Sequence, residues 1–394
     1  MQAVKLTEKV YWVGAIDWGL RDFHGYATSR GTTYNAYLIL ADKVTLVDTV
    51  KAPFKSEMMA RIASIVEPEK IDYIISNHAE MDHTGALPEV IKAVKPEKVF
   101  ASKKGVEAIN AHFHFDAMLT PIEDVQELSL GNMNITFYET RMLHWPDSMF
   151  SFLQEEGILF SQDGFGMHLA SSERFDDELD EYLLRHETAK YYANILTPYS
   201  ALIGKLIDKL SKLNLSIKMV APDHGPVWRK GISKVVAWYS EWAEQAPTKK
   251  AVIFYDTMWQ STARMASTIA DGVASTGAYA KVMPLHGSHR SDVATELLEA
   301  GAVVVGSPTI NNQMFPTVAD VLTYIKGLKF KNLIGSAFGS YGWSGEAVNL
   351  VQDQLTDMKV DIASESLNIK YVPREEDLQK CLEMGKTLGE KLIK

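Results

Sequence analysis

"NHAEMDHTGALPEV" (Asn77–Val90) brings two histidines and two carboxylates into the six residues from His78 to His83, then runs into a helical pattern. Residues 78, 80 and 82 alternate, so an extended segment points His78, Glu80 and Asp82 the same way. His83 then turns in beside them just before the helix. The apolar stretch "IDYIIS" ahead of them reads as a strand, which puts all four groups on a loop at its C-terminal end, open to solvent and substrate. Four ligand-type side chains converging on one spot indicate a metal site.

Three later stretches repeat the pattern. "ETRMLHWPDSM" puts His144 just after a strand, "GILFSQDGFG" does so for Asp163, and "IKMVAPDHGPVW" does so for His224. The seven ligands exceed what one tetrahedral ion uses, whereas two ions about 3.5–4 Å apart, sharing a bridging carboxylate, would use them all. Four imidazoles and three carboxylates, without a thiolate, suit divalent iron, manganese or zinc, and the carboxylate share moves the preference toward iron or manganese. Two dications against three carboxylates leave roughly one positive charge by formal counting. A lone histidine is ordinarily a hydrogen-bonded loop residue, and His112, His114, His168, His186, His286 and His289 are read that way. His24, in "RDFHGYATSRGTTYNAY", lies on an early loop where a role in the substrate pocket competes with that ordinary one.

At 394 residues the chain exceeds what one core usually covers, so two domains are expected. Up to about Ala246, short strands such as "TYNAYLIL", "VTLVDTV", "KVFAS" and "NITFYET" alternate with loops rich in His, Asp and Gly, which suggests two sheets covered by helices. "EQAPTKK" reads as a linker. Beyond it, "KAVIFYD", "AKVMPL", "AVVVGSP", "NLIGSAFG" and "LNIKYV" alternate with helical patterns, the rhythm of a doubly wound parallel sheet. The expected domains are residues 1–246 and 250–394.

In the second domain "YDTMWQSTARMA" is a hydroxyl-rich turn opening a helix, where backbone N–H groups and the side chains of Thr257, Ser261 and Thr262 can hold a phosphate. Met258, Trp259 and Gln260 complete that turn. Two further loops lie at the carboxyl edge where such sheets bind ligands. "GSPTINNQ" carries Ser307, Pro308, Thr309, Ile310, Asn311 and Asn312, and "AFGSYGWSG" carries Ala337, Phe338, Gly339, Ser340, Tyr341, Gly342 and Trp343. Asn311 and Asn312 offer donors to a ring, while Trp259, Tyr341 and Trp343 offer faces to stack on. No G-x-G-x-x-G follows the first strand and no P-loop is present, so a mononucleotide is expected rather than a dinucleotide.

A formal charge of −10 argues against a nucleic-acid or anionic-membrane partner. No apolar run approaches the ~18 residues of a membrane span, and no signal-peptide pattern opens the sequence, so a cytoplasmic location is expected. The single cysteine, Cys381, excludes a disulfide or a four-thiolate iron site within this chain.

The H-x-E-x-D-H pattern, followed by "MLHWPDSM", "DGFG" and "PDHG" and then a flavodoxin-like half, resembles the flavodiiron proteins of the metallo-β-lactamase superfamily. Glu80 stands where hydrolases of that superfamily carry a histidine, and Gln260 stands where flavodoxin phosphate loops usually carry a glycine. The resemblance implies an αββα sandwich followed by a flavodoxin-like sheet, with FMN and two iron ions. It makes His78, Glu80 and His144 ligands of one iron and Asp82, His83 and His224 ligands of the other, with Asp163 bridging. It implies reduction of dioxygen to water, of nitric oxide to nitrous oxide, or both. Electrons would come from a separate carrier, rubredoxin or a reduced deazaflavin, and the working unit would be a head-to-tail homodimer or a dimer of dimers. Two rivals stand beside it: a dizinc hydrolase with an appended flavodoxin module, and an electron-carrying flavoprotein with a vestigial metal site. Glu80 speaks against the first and the seven filled ligand positions against the second.

Overall fold

The computed structural model describes residues 1–114 and 119–394. The chain divides into two units. The first comprises Met1–His24, Thr28–Tyr191 and Ala201–Ser240, and the second comprises Gly25–Ala27, Tyr192–Ser200 and Glu241–Lys394. The two short excursions join the second unit through hydrogen bonds: Ala27 N donates to Ser291 Oγ at 3.2 Å, and Asn194 Nδ2 donates to the Ser291 carbonyl at 3.1 Å.

The first unit is an αββα sandwich. One sheet has, among the described residues, seven strands in the order Val4–Lys5, Val10–Trp12, Tyr37–Ile39, Thr45–Val47, Tyr73–Ser76, Lys98–Ser102 and Leu119–Ile122. The other has five: Glu127–Ser129, Asn134–Glu139, Met149–Leu153, Ile158–Gln162 and Met219–Pro222. Alternation divides each strand between two cores. Tyr37, Ile39, Val47 and Ile75 face the space between the sheets, with Phe137 and Phe160 of the second sheet. Leu38, Leu46 and Ile74 face outward, under Met58, Ile62, Leu87, Val90 and Ile109 of the covering helices. Because both faces are covered, these strands are continuously apolar.

The second unit is a parallel sheet in the order Tyr279–Pro284, Lys250–Tyr255, Ala302–Gly306, Ile334–Tyr341 and a fifth position shared by Asp361–Ile362 and Leu367–Lys370. All five strands read from the sequence are present, the last as Leu367–Lys370, and the structure adds a short sixth, Asp361–Ile362; these two pair with opposite ends of the eight-residue strand Ile334–Tyr341. Val252, Phe254, Val303 and Val305 pack on one face, and Ala251, Ile253, Ala302 and Val304 on the other. On that second face helix Glu375–Ile393 crosses helix Ser261–Ser275 at a glycine pair. A Cβ on Gly385 would stand 2.1 Å from the Ile269 carbonyl oxygen, and one on Gly272 would stand 2.2 Å from that of Leu382. Only glycine lets the two backbones approach so closely.

Candidate metal centre and flavin site

The extended segment that the sequence suggests over residues 78–82 stops at Glu80, whose backbone is still extended, and a short helix, Met81–Thr84, begins. Thr84 Oγ1 closes that turn, donating to the carbonyls of Ala79 and Glu80 at 2.9 Å. The helical turn redirects Asp82 and His83 away from the direction taken by His78 and Glu80. The four-residue motif therefore serves two positions instead of one. Ligand atoms of His78, Glu80, His144 and Asp163 lie within 4.8 Å of one another, as do those of Asp82, His83 and His224.

Asp163 joins the two groups. Its Oδ2 lies 3.0 Å from His144 Nε2 and 3.4 Å from His78 Nε2, and its Oδ1 lies 3.2 Å from His83 Nε2 and 3.5 Å from His224 Nε2. Glu80 Oε2 completes the first group at 3.1 Å from His144 Nε2 and 3.4 Å from His78 Nε2. Asp82 completes the second, at 3.2 Å from His224 Nε2 and 3.4 Å from His83 Nε2. Donor atoms bound to one ion at about 2.0–2.2 Å and spread at octahedral or tetrahedral angles are about 3.0–3.5 Å apart. The observed spacings of 3.0–3.5 Å match that range.

Two further observations fit metal ions. The Nε2 atoms of His78 and His83 and both oxygens of Asp82 and of Asp163 are buried without a hydrogen-bond partner, an unfavourable state that coordination would relieve. Electrostatics agrees. Burial works against a charged His83, yet Asp82 and Asp163 push its imidazole well above the ordinary range. Burial likewise would raise the Asp163 carboxyl, but His83 and His144 outweigh it and hold it well below the usual carboxylate range. The pocket stabilises positive charge, which two dications would supply.

A register shift in the second sheet immediately precedes Asp163. Pairing between Ile158–Gln162 and Met219–Pro222 shifts register between Phe160 and Gln162, and Gln162 has φ +42°. Bulges re-aim side chains in this way. Gln162 also ties three ligand loops together. Its side-chain amide Nε2 donates to the Leu143 carbonyl, its Oε1 accepts the Asp163 N–H at 2.7 Å, and its main-chain carbonyl accepts the Asp223 N–H at 2.8 Å.

The second unit holds a cavity of about 640 Å³ at the far end of its sheet, lined by Phe330, Leu333 and several lysines, and one of about 610 Å³ at the carboxyl edge. The second lies where doubly wound sheets bind ligands. It is lined by Met258, Trp259, Ser261, Pro308, Thr309, Ile310, Asn311, Asn312, Ser340, Tyr341, Gly342 and Trp343, together with Ser344, Tyr371 and Val372. Helix Ser261–Ser275 opens beside it with no side-chain cap, so its first N–H groups are available to a phosphate. Gln260 takes φ +66°, the left-handed conformation for which a glycine is the easiest choice. The buried Thr257 Oγ1 has no hydrogen-bond partner, and a phosphate oxygen would give it one.

Residues 32–225 match the ODP family beta lactamase model, and residues 253–385 match the flavodoxin model. A nitric oxide reductase of Moorella thermoacetica is 46% identical, over 99% of this chain and 99% of its own length. A rubredoxin-oxygen oxidoreductase of Megalodesulfovibrio gigas is 46% identical over 100% of this chain and 98% of its own. The crystal structure of the flavodiiron protein from Giardia intestinalis superposes with a TM-score of 0.96 at 36% identity, covering 100% of this chain and 97% of the other. The chain belongs to the flavodiiron protein family.

Within this flavodiiron fold the seven residues singled out from the sequence come together in one buried cluster, from four separate loops. His24 stands at its rim, its side chain 76% exposed and its Nε2 3.5 Å from Glu80 Oε1. Of the flavin-loop residues, Ala337 and Phe338 lie in the hydrophobic core because they alternate between the two buried faces of strand Ile334–Tyr341. Gly339 is pressed against the Ser307 carbonyl, while Thr262 is buried with its Oγ1 3.1 Å from Ser340 Oγ. Ser307 turns inward, accepting the Phe315 N–H at 2.9 Å. Tyr371 and Val372 escape the sequence reading because "LNIKYV" reads as strand to its end, whereas the strand stops at Lys370 and leaves both on the loop beyond it. In the metal pocket, His168 is not the ordinary loop residue suggested by sequence. It is buried, 4.7 Å from His224 between ring centroids, and burial together with His224 holds it well below the usual imidazole range. Tyr191 is buried alongside, its ring centroid 5.1 Å from that of His168, its phenol pushed well above the ordinary range by burial and by Asp163. The adjacency of His168 to "DGFG" is the only sequence signal for either residue.

Proposed function

We propose that this chain is an FMN- and iron-dependent oxidoreductase that reduces dioxygen to water, nitric oxide to nitrous oxide, or both. Residues 1–246 would house the iron pair and residues 250–394 the FMN. The observation that carries the reading is Asp163, which offers one oxygen to each of two complete ligand groups. His78, Glu80 and His144 serve one iron, Asp82, His83 and His224 the other. Iron held there would supply electrons for reducing a small oxidising molecule, and FMN in the second unit would supply the means of re-reduction.

The side chains supply the rest. Glu80, Asp82 and Asp163 would offset most of the charge of two dications held there. His24, on the exposed rim beside Glu80, is placed to donate a hydrogen bond or a proton from Nε2 to a molecule entering the pocket. Trp145, half-buried, lies edge-on to His78 with ring centroids 5.2 Å apart and would shape that side of the pocket.

One cysteine cannot supply a four-thiolate iron site, so electrons enter from an external carrier, rubredoxin or a reduced deazaflavin. None of the helices among the described residues is long and apolar enough to cross a membrane; a cytoplasmic location completes the reading. The working unit is a head-to-tail homodimer, alone or paired into a dimer of dimers, in which the FMN of one chain serves the irons of the other. Exposed apolar side chains around each site support this: Trp259 and Trp343 at the flavin cavity, Trp18 and Met81 in the metal-bearing unit. Anaerobic stopped-flow reoxidation of the reduced, iron-loaded protein by each gas tests the reaction. Stoichiometric zinc with esterase or lactamase turnover, and no reoxidation by either gas, would overturn it. For the dimer, a metal-free variant (His78→Ala with Asp163→Ala) is mixed with a flavin-free one (substitutions at Thr257, Ser261 and Thr262). Recovered activity in confirmed mixed dimers is expected, and none would refute the trans arrangement.

A further inference from the structure

An imidazole that ligates a metal through one nitrogen must have its other nitrogen anchored if the ring is to keep its tautomer and its aim. His224 is anchored by the main chain, its Nδ1 2.6 Å from the Thr33 carbonyl oxygen. His78 is anchored differently. Its Nδ1 lies 3.1 Å from Oδ2 of Asp147, and the same Oδ2 accepts the Ala79 backbone N–H at 2.6 Å. One oxygen thus holds both a ligand ring and the backbone between the ligands His78 and Glu80.

Asp147 is itself built in. It is 3% exposed, and its carbonyl oxygen accepts the Ser102 hydroxyl at 2.6 Å. Ser102 is the N-cap of helix Lys103–Phe113, accepting the Gly105 N–H at 3.0 Å, so a rigid element fixes the position of the carboxylate. Its other oxygen, Oδ1, is buried without a hydrogen-bond partner. Burying an incompletely bonded carboxylate is costlier than burying a carboxamide of the same shape. Packing alone therefore does not account for a charge here. A metal-bound imidazole does, since coordination at Nε2 makes the Nδ1–H a stronger donor and a carboxylate its strongest acceptor.

We propose that Asp147 is a positioning residue for the metal group that contains His78. It accepts the Nδ1–H, fixes the tautomer that presents the Nε2 lone pair to the ion, and holds the 78–80 backbone so that Glu80 meets the same ion. This rests on the iron reading above, and the test separates the two.

Iron-loaded parent, Asp147→Asn and Asp147→Ala proteins are titrated anaerobically with an iron chelator, with FMN content measured on each sample, and the ⁵⁷Fe-loaded diferrous forms are compared by Mössbauer spectroscopy. The alanine variant is expected to release one of its irons at a chelator concentration roughly 10–100-fold lower than the parent. Asparagine can still accept from both N–H groups but carries no charge, so it should show a smaller shift in release. In both variants the spectrum of one iron should change more than that of the other. A folded, FMN-loaded alanine variant that releases iron as the parent does would overturn the positioning role while leaving iron binding intact. If alanine prevents folding, an asparagine variant with parental release and an unchanged spectrum would overturn it. A parent that takes up no iron would overturn both readings.

Discussion

Asp163→Ala should empty both metal positions, whereas removal of any ligand private to one group should empty one. Each group of the cluster has four donors when Asp163 is counted in both: His78, Glu80, His144 and Oδ2 on one side, Asp82, His83, His224 and Oδ1 on the other. Alanine at 163 takes a donor from each at once and leaves two carboxylates against two dications, so the formal charge rises from about +1 to about +2 in a largely buried pocket. His144→Ala removes a donor from the first group only and leaves the charge unchanged. Parent protein should therefore hold about two irons per chain, His144→Ala about one, and Asp163→Ala close to none. Iron per chain is read after anaerobic gel filtration, with FMN absorbance on the same fractions as the control for folding. FMN should stay in both variants. If Asp163→Ala keeps one iron as His144→Ala does, the carboxylate does not bridge, and the division of ligands argued from its two oxygens fails.

In the flavin unit, combined Thr257→Val, Ser261→Ala and Thr262→Val should lose FMN while iron per chain is unchanged; retention of FMN through gel filtration would remove the phosphate-turn assignment. Burial pushes the Cys381 thiol up to about 11, so at pH 8 only about one thiol in a thousand is ionised. A disulfide reagent should then label the native protein slowly and the denatured protein at one site per chain, and fast native labelling would contradict that burial. Gly385→Ala sets a Cβ against the Ile269 carbonyl, costing about 1–3 kcal/mol in overpacking, against the ~1 kcal/mol that alanine gains in helix propensity. A lowered melting temperature with normal iron content is expected, and unchanged stability would mean that the helix crossing relaxes freely.

Chemistry that is local in the chain was legible without coordinates. His78, Glu80, Asp82 and His83 stand within six residues, and the hydroxyl-rich turn at Thr257–Thr262 abuts the helix it opens. In both cases neighbouring residues along the backbone are neighbours in space. The alternation of apolar strands and helices beyond residue 250 likewise specifies a doubly wound sheet, because the periodicity of burial is a property of short windows. Even here the period misleads at its edges. Residues 78–82 alternate on paper, yet the helix begins at Met81, and Ala337 and Phe338 sit in a motif of loop-like composition but belong to a strand with both faces covered.

By itself, then, the sequence determined which side chains could bind metal and flavin, and the order of strands and helices that carries them. The family resemblance already implies how the candidate ligands divide; the tertiary structure adds the two donor-atom groups in space and the partners that hold them. Asp163 presents one oxygen to each ligand group, just after a register shift against Met219–Pro222. Asp147 reaches His78 from 69 residues away, and the Thr33 carbonyl meets His224 across 191. Such partners carry no local pattern. They are selected by sheet pairing and by the need to satisfy buried polar atoms once the sandwich has closed, and those conditions arise only after distant strands have met.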